Sequence, residues 1–168
     1  TIDKYIKGRK NVKVKDVINA LYTLKEFQHA KTKILVEVGS EENIVNKVVV
    51  SHGALTNGGY EVASTYFKYG IDTVVYIHIS PLDLLKLKED NAGNLIISGH
   101  IASDSVGINP FLDRLEKEGL EVLRMGGVIP PSVWSRILDF LKLCDICFHI
   151  ASEDFKKTSG AYLGCIAV

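Results

Sequence analysis

Apolar residues at Val14, Val17, Ile18, Leu21, Leu24 and Phe27 recur at intervals of three and four, which predicts an amphipathic helix after Lys13 with Lys and Glu on its outer face. Ahead of it, Lys4, Lys7, Arg9, Lys10, Lys13 and Lys15 face only Asp3, so residues 1–13 read as a basic lead-in arm, either solvated or feeding the helix. From Ile34 the period changes. Short β-branched runs at Ile34–Val38, Val48–Val50, Thr73–Ile79 and Leu95–Ile97 alternate with helical stretches at Tyr60–Tyr69, Leu82–Glu89 and Phe111–Glu118. Alternation of this kind predicts an α/β fold: a mostly parallel, buried sheet with helices on both faces. The Phe111–Glu118 helix has readable ends, with Asn109 as its cap, Pro110 at its first position and Gly119 after its last turn. Further strands are expected at Leu120–Met125, Ile146–Ile150 and Ala161–Val168. A helix is expected at Val133–Leu143, beyond the Gly126-Gly127 and Pro130-Pro131 breaks. With no boundary in view, residues 1–168 read as a single α/β domain, of which 129–168 form a helix-strand extension.

Composition narrows the class. At 168 residues, 46% hydrophobic and 24% charged, the chain has ordinary globular usage, which argues against wholesale disorder. Its 20 basic and 20 acidic residues cancel, so no net field favours nucleic acid or an anionic membrane, and the basic arm has no reading helix beside it. Apolar runs such as Leu95–Ile97 fall far short of the ~20 residues a membrane span needs. Without a signal-peptide pattern, a cytoplasmic address is the expectation; an opening at Thr1 suggests a processed or truncated product. Cys144, Cys147 and Cys165 are odd in number and crowded late, which favours reduced thiols. The Cys144-Asp-Ile-Cys147 spacing sits in an apolar run, so core packing is the expectation and metal or redox use the alternative.

The chemistry concentrates on histidine. His29 ends a predicted helix, whereas His52, His78, His100 and His149 each fall at or just inside the end of a predicted strand. Ligands of open parallel sheets bind outside the carboxyl ends of the strands, so side chains far apart in sequence can converge there on a metal or acid/base site. In His100-Ile-Ala-Ser-Asp104 a carboxylate follows a histidine by four positions at a strand-to-helix corner, a pair suited to Zn, Mn, Fe or Ni if the turn winds helically. Alternatively Asp104 caps a helix from Ser105 onward. His149-Ile-Ala-Ser-Glu153 repeats the pattern, as a chance match, a second ligand pair or a trace of internal duplication. Between the second strand and its helix, the Gly-rich run His52-Gly53-Ala54-Leu55-Thr56-Asn57-Gly58-Gly59 offers backbone N–H groups for an anion, with Gly53, Thr56, Asn57, Gly58 and Gly59 as the candidate substrate loop. It matches neither the Walker A spacing nor the dinucleotide fingerprint.

The stretch Gly99-His100-Ile-Ala-Ser-Asp104 and the helix and strand that follow it resemble the Gly-His-x-x-x-acid corner in the second half of the Nif-three-like dinuclear metal-centre family. Gly70–Ser80, with its His-Ile-Ser, and Ser51–Gly59 resemble a divergent branch of that family, so the likeness covers about 34–128. Asp104 stands where Glu is commoner, and the family's paired-histidine segment has no counterpart in this chain. The resemblance implies an α/β fold around divalent metal, with ligand roles for His100 and Asp104 and with His78 and His52 nearby. It also implies a toroidal homo-oligomer and an enzymatic role of GTP cyclohydrolase type. The expectation is a metal-dependent hydrolase acting on a phosphate- or nucleotide-like small molecule. The alternative is a non-catalytic, ring-forming binding or assembly protein whose metal is structural or regulatory.

Overall fold

A computed structural model describes residues 2–53 and 58–131 of the chain. Four strands form one sheet: β1 (Leu35–Val38), β2 (Val48–Ser51), β3 (Thr73–Tyr76) and β4 (Asn94–Ile97), in the order β1-β4-β3-β2. β2, β3 and β4 run parallel, with Val48 opposite Thr73 and Thr73 opposite Asn94. β1 closes the other edge antiparallel to β4, with a register shift between Val36 and Val38. The sheet is therefore mostly parallel, as the alternating pattern predicts.

Period-two alternation sends neighbouring residues to opposite faces, except across the register shift in β1, which puts Val36 and Val38 on different faces, and each face has its own core. Val36, Val48, Val75 and Ile96 pack against α1 (Ile2–Ile6), α2 (Val14–Leu21), α3 (Lys25–His29) and α6 (His100–Lys117). Val74, Tyr76, Leu95 and Val38 pack against α4 (Gly59–Lys68) and α5 (Pro81–Asp90) through Ala63, Tyr66, Phe67 and Leu87. The helix starts have local causes. The Asp16 carboxylate accepts from the Lys13 N–H at 2.9 Å at the head of α2, and the Ser80 hydroxyl accepts from the Asp83 N–H at 3.2 Å, with Pro81 opening α5.

Four expectations are corrected. The basic arm contains the short helix α1, whose Ile2 is buried against α2, so apolar anchoring overrides its charge. The single helix after Lys13 is two, because Tyr22 closes α2, the Thr23 hydroxyl turns back onto the Ala20 carbonyl at 2.7 Å, and Leu24 is extended. The Phe111–Glu118 helix is the second half of α6, which runs unbroken from His100 through Pro110. Pro110 forfeits one helical hydrogen bond, but Asn109 beside it is no cap: it is buried and donates to the Glu26 carboxylate and the Ile129 carbonyl, each at 2.8 Å, which ties the middle of α6 into the core. Residues 120–125 form no strand, since Arg124 binds Asp113 and Glu116 of α6 at 3.1 and 3.0 Å and holds the segment against the helix, away from a sheet edge. The elements expected at 133–143, 146–150 and 161–168, with the three cysteines, lie outside the described residues. Among the described residues no helix is long and apolar enough to cross a membrane.

Candidate metal centre

The three parallel strands end side by side, and each is followed by a histidine: His52 directly after β2, His78 two residues past β3 and His100 three residues past β4, as the first residue of α6. The parallel register brings these positions to one edge of the sheet. His78 and His100 stack with ring centroids 4.9 Å apart and planes 11° from parallel. His52 stands edge-on to both, at 5.8 Å from His78 and 6.1 Å from His100. Residues drawn from Ser51–Gly53, Ile77–Ile79 and Gly99–Ile101 thus form one group at the carboxyl edge, where open parallel sheets take their ligands.

Contacts around His100 link its tautomer to that of His78. Asp104 lies one helical turn beyond His100, on the same face of α6, and its Oδ2 is 3.0 Å from His100 Nε2. The alternative in which Asp104 caps a helix from Ser105 is overturned, because the helix already begins at His100 after Gly99, whose φ is +93°. On its other side, His100 Nδ1 meets His78 Nδ1 at 3.1 Å. In a neutral His100 that donates Nε2–H to the carboxylate, Nδ1 is an acceptor, so His78 donates Nδ1–H to it and keeps an unprotonated Nε2. Both members of the Asp104 pair are about half exposed, at 49% and 56%, so the group faces solvent and is open to a ligand.

The glycine loop is built onto the same edge. Gly53 has φ +91°, and a side chain there would press within 2.8 Å of the Tyr76 ring and collide with the His78 carbonyl. Its close approach lets the Ile77 N–H reach the His52 carbonyl at 3.3 Å, extending the β2–β3 pairing to the histidines. Gly59 opens α4, its carbonyl accepting from the Tyr76 hydroxyl at 3.2 Å. Burial raises that phenol to about 12. Gly53, Gly58 and Gly59 are thus near the histidines, whereas Thr56 and Asn57 of the expected loop lie outside the described residues, as do His149 and Glu153.

His100 also forms one wall of a cleft of about 470 Å³, shared with His29, Lys31, Thr32 and the 127–130 segment. Sequence reasoning set His29 aside as a helix end. No local pattern links it to His100, because the contact exists only through the packing of α3 against α6.

Donor chemistry suits a divalent transition metal: three imidazoles and a carboxylate are the ligand types of zinc, manganese, iron and nickel sites. The 3.1 Å between His78 Nδ1 and His100 Nδ1 is close to the ~3.3 Å separating two nitrogens on one tetrahedral ion with bonds of 2.0–2.1 Å. Among the described residues, however, no three His, Cys, Asp or Glu side chains already converge on one coordination point. His52 is the outlying member.

Fold and site together define an α/β protein that gathers histidines at the carboxyl edge of a parallel sheet. Comparison with solved structures makes this specific. A NIF3 superfamily protein from Sphaerobacter thermophilus is 46% identical and superposes with a TM-score of 0.71 over 76% of this chain and 46% of its own. The chain belongs to the NIF3 superfamily, the family that its Gly-His corner resembles. It spans about half the length of that relative. A Bacillus cereus protein related to NIF3 matches at 20% identity and TM-score 0.42, over 65% of this chain and 27% of its own. A Staphylococcus aureus protein matches at 18% and 0.42, over 67% and 30%. No protein-family model and no curated protein matches the chain.

Proposed function

We propose that the strand-end cluster binds a divalent transition metal and that the protein hydrolyses a phosphate- or nucleotide-like small molecule there. The observation that carries this is the convergence of His52, His78 and His100 from three adjacent parallel strands. His78 and His100 would hold the ion first, His52 would join by turning its ring, and Asp104 would orient His100 or enter as a further oxygen ligand. When bound, the metal supplies Lewis acidity and a water of lowered pKa. The Gly53 and Gly58-Gly59 backbone orients the substrate anion, and Asp104, by accepting from His100 Nε2, would leave His100 Nδ1 free to face the ion.

The test is elemental analysis of tag-free protein, with His78→Ala, His100→Ala and Asp104→Ala variants alongside, followed by a screen of phosphoesters and nucleotides. About one ion per chain or more, lost with His100→Ala together with any turnover, is expected. A folded wild type that stays empty after soaking in Zn, Mn, Fe and Ni in turn refutes the reading.

A second reading, a ring-forming assembly protein without turnover, is favoured by the apolar residues that α6 exposes at Ile101, Ile108 and Phe111. It predicts a homo-oligomer whose size is unchanged by chelation, with no hydrolysis in the same screen.

A further inference from the structure

Beside His100 lies the cleft of about 470 Å³, within the size range of small-molecule sites. Its walls are apolar: Ala30, Ile101, Val128, Ile129 and Pro130. Its polar lining is His29, Lys31, Thr32 and His100, and among the described residues no acidic side chain lines it.

The cleft is held open by its surroundings. The Ile129 N–H donates to the Ser105 hydroxyl at 2.9 Å, and buried Asn109 bridges the Ile129 carbonyl and the Glu26 carboxylate. The 127–130 wall is thereby fixed to α6, and α6 to α3, which carries His29. A preformed apolar slot lined by a lysine, a hydroxyl and imidazoles and, among the described residues, by no carboxylate selects one ligand class.

We propose that this cleft binds a small organic anion, a carboxylate or phosphate ester with a flat apolar body. The body lies between Ile101 and the 128–130 segment, and the anion is met by Lys31 and Thr32. The site does not depend on the metal reading, although a ligand in it rests against His100.

The test is a titration of the full isotope-labelled chain, followed by NMR, with phenyl phosphate, benzoate, inorganic phosphate and benzylammonium, each with and without a metal chelator. Saturable shifts at His29, Thr32, Ile101 and Val128 are expected from phenyl phosphate or benzoate, with Kd on the order of 1 mM for probes of this size. Inorganic phosphate and benzylammonium should bind at least about tenfold more weakly, since each lacks the body or the charge. Which of the two preferred probes binds tighter assigns phosphate or carboxylate as the natural group. Ile101→Trp, at a half-exposed position that tolerates bulk, should abolish the shifts, and Lys31→Gln should weaken both anions. Binding should survive His52→Ala and chelation, whereas binding that vanishes with either belongs to the metal centre and overturns the proposal. Absence of saturable shifts in the folded protein, shifts that survive Ile101→Trp, or contacts showing the cleft filled by residues 132–168 would also overturn it.

Discussion

Gly53 offers a matched test of how tightly the glycine loop is built onto the histidine edge, because Gly70 has nearly the same backbone without the contacts. Gly53 has φ +91° and would place a Cβ 2.8 Å from the Tyr76 ring and against the His78 carbonyl; Gly70 has φ +80° and nothing within 4 Å. Gly70→Ala therefore incurs only the left-handed backbone cost, about 1–2 kcal/mol. Gly53→Ala adds overpacking against a buried strand end, about 1–3 kcal/mol more, for a total of about 2–5 kcal/mol. For a chain of this size each kcal/mol lowers Tm by about 2–4 °C, so the pair is separable by thermal melts, and urea titrations of both variants give the difference directly. A second consequence is specific to Gly53. Its alanine variant should displace His52 and His78, moving their imidazole NMR signals while leaving that of His29 in place. Equal destabilisation by the two alanines would mean that the loop lifts away at no cost, and would refute the claim that Gly53 is required by close packing.

Asn109→Ala should cost about 2–4 kcal/mol in urea denaturation, because it leaves the buried Glu26 carboxylate and the Ile129 carbonyl without their shared donor; a loss under about 0.5 kcal/mol would show that water replaces it. Arg124→Ala should be milder, about 1–2 kcal/mol, although its side chain is only 4% exposed, since Asp113 and Glu116 are partly exposed and can rehydrate. At alkaline pH Tyr76 sets a sign: its phenol is raised by burial to about 12 from 10.0, so the fold favours the protonated form. That stability is complete below pH 10 and is lost as pH rises toward about 12; Tyr76→Phe should flatten this decline in denaturation midpoints measured across that window.

The sheet was legible because its strands announce themselves. Val48–Val50, Thr73–Tyr76 and Leu95–Ile97 are short β-branched or apolar runs bounded by polar segments; burial on both faces imposes that composition on the central strands β3 and β4, whereas β2 lies at the edge with Val50 exposed. Helix ends were harder to read. The chain leaves α2 at Tyr22 and Thr23 inside a continuous apolar period, because a hydroxyl turning back on a carbonyl leaves no trace in hydrophobic spacing. Pro110 reads as a helix start, yet here it sits inside one, since Asn109 takes its partners from α3 and from the segment around Ile129, which no local window includes. The strand expected over Leu120–Met125 failed for a related reason. Its Arg124 has two carboxylates of α6 within reach, so the segment follows the helix.

The histidine edge could be read early for a reason that also bounds what such reading can do. Parallel strands joined by crossover helices put their carboxyl ends together, so residues at equivalent strand ends converge whatever their separation in sequence. His52, His78 and His100 obey that rule. The rule gives position but not direction. Which nitrogen faces which depends on Asp104, one turn into α6, whose carboxylate can only accept a hydrogen bond when ionised. When His100 is neutral and no metal is bound, that makes Nε2 of His100 the donor and Nδ1 the acceptor, and hands the donor role to His78 Nδ1. An amide at position 104 has both a donor and an acceptor end and would leave that order unset. Asp104 would therefore order the tautomers of His100 and His78 without touching His78.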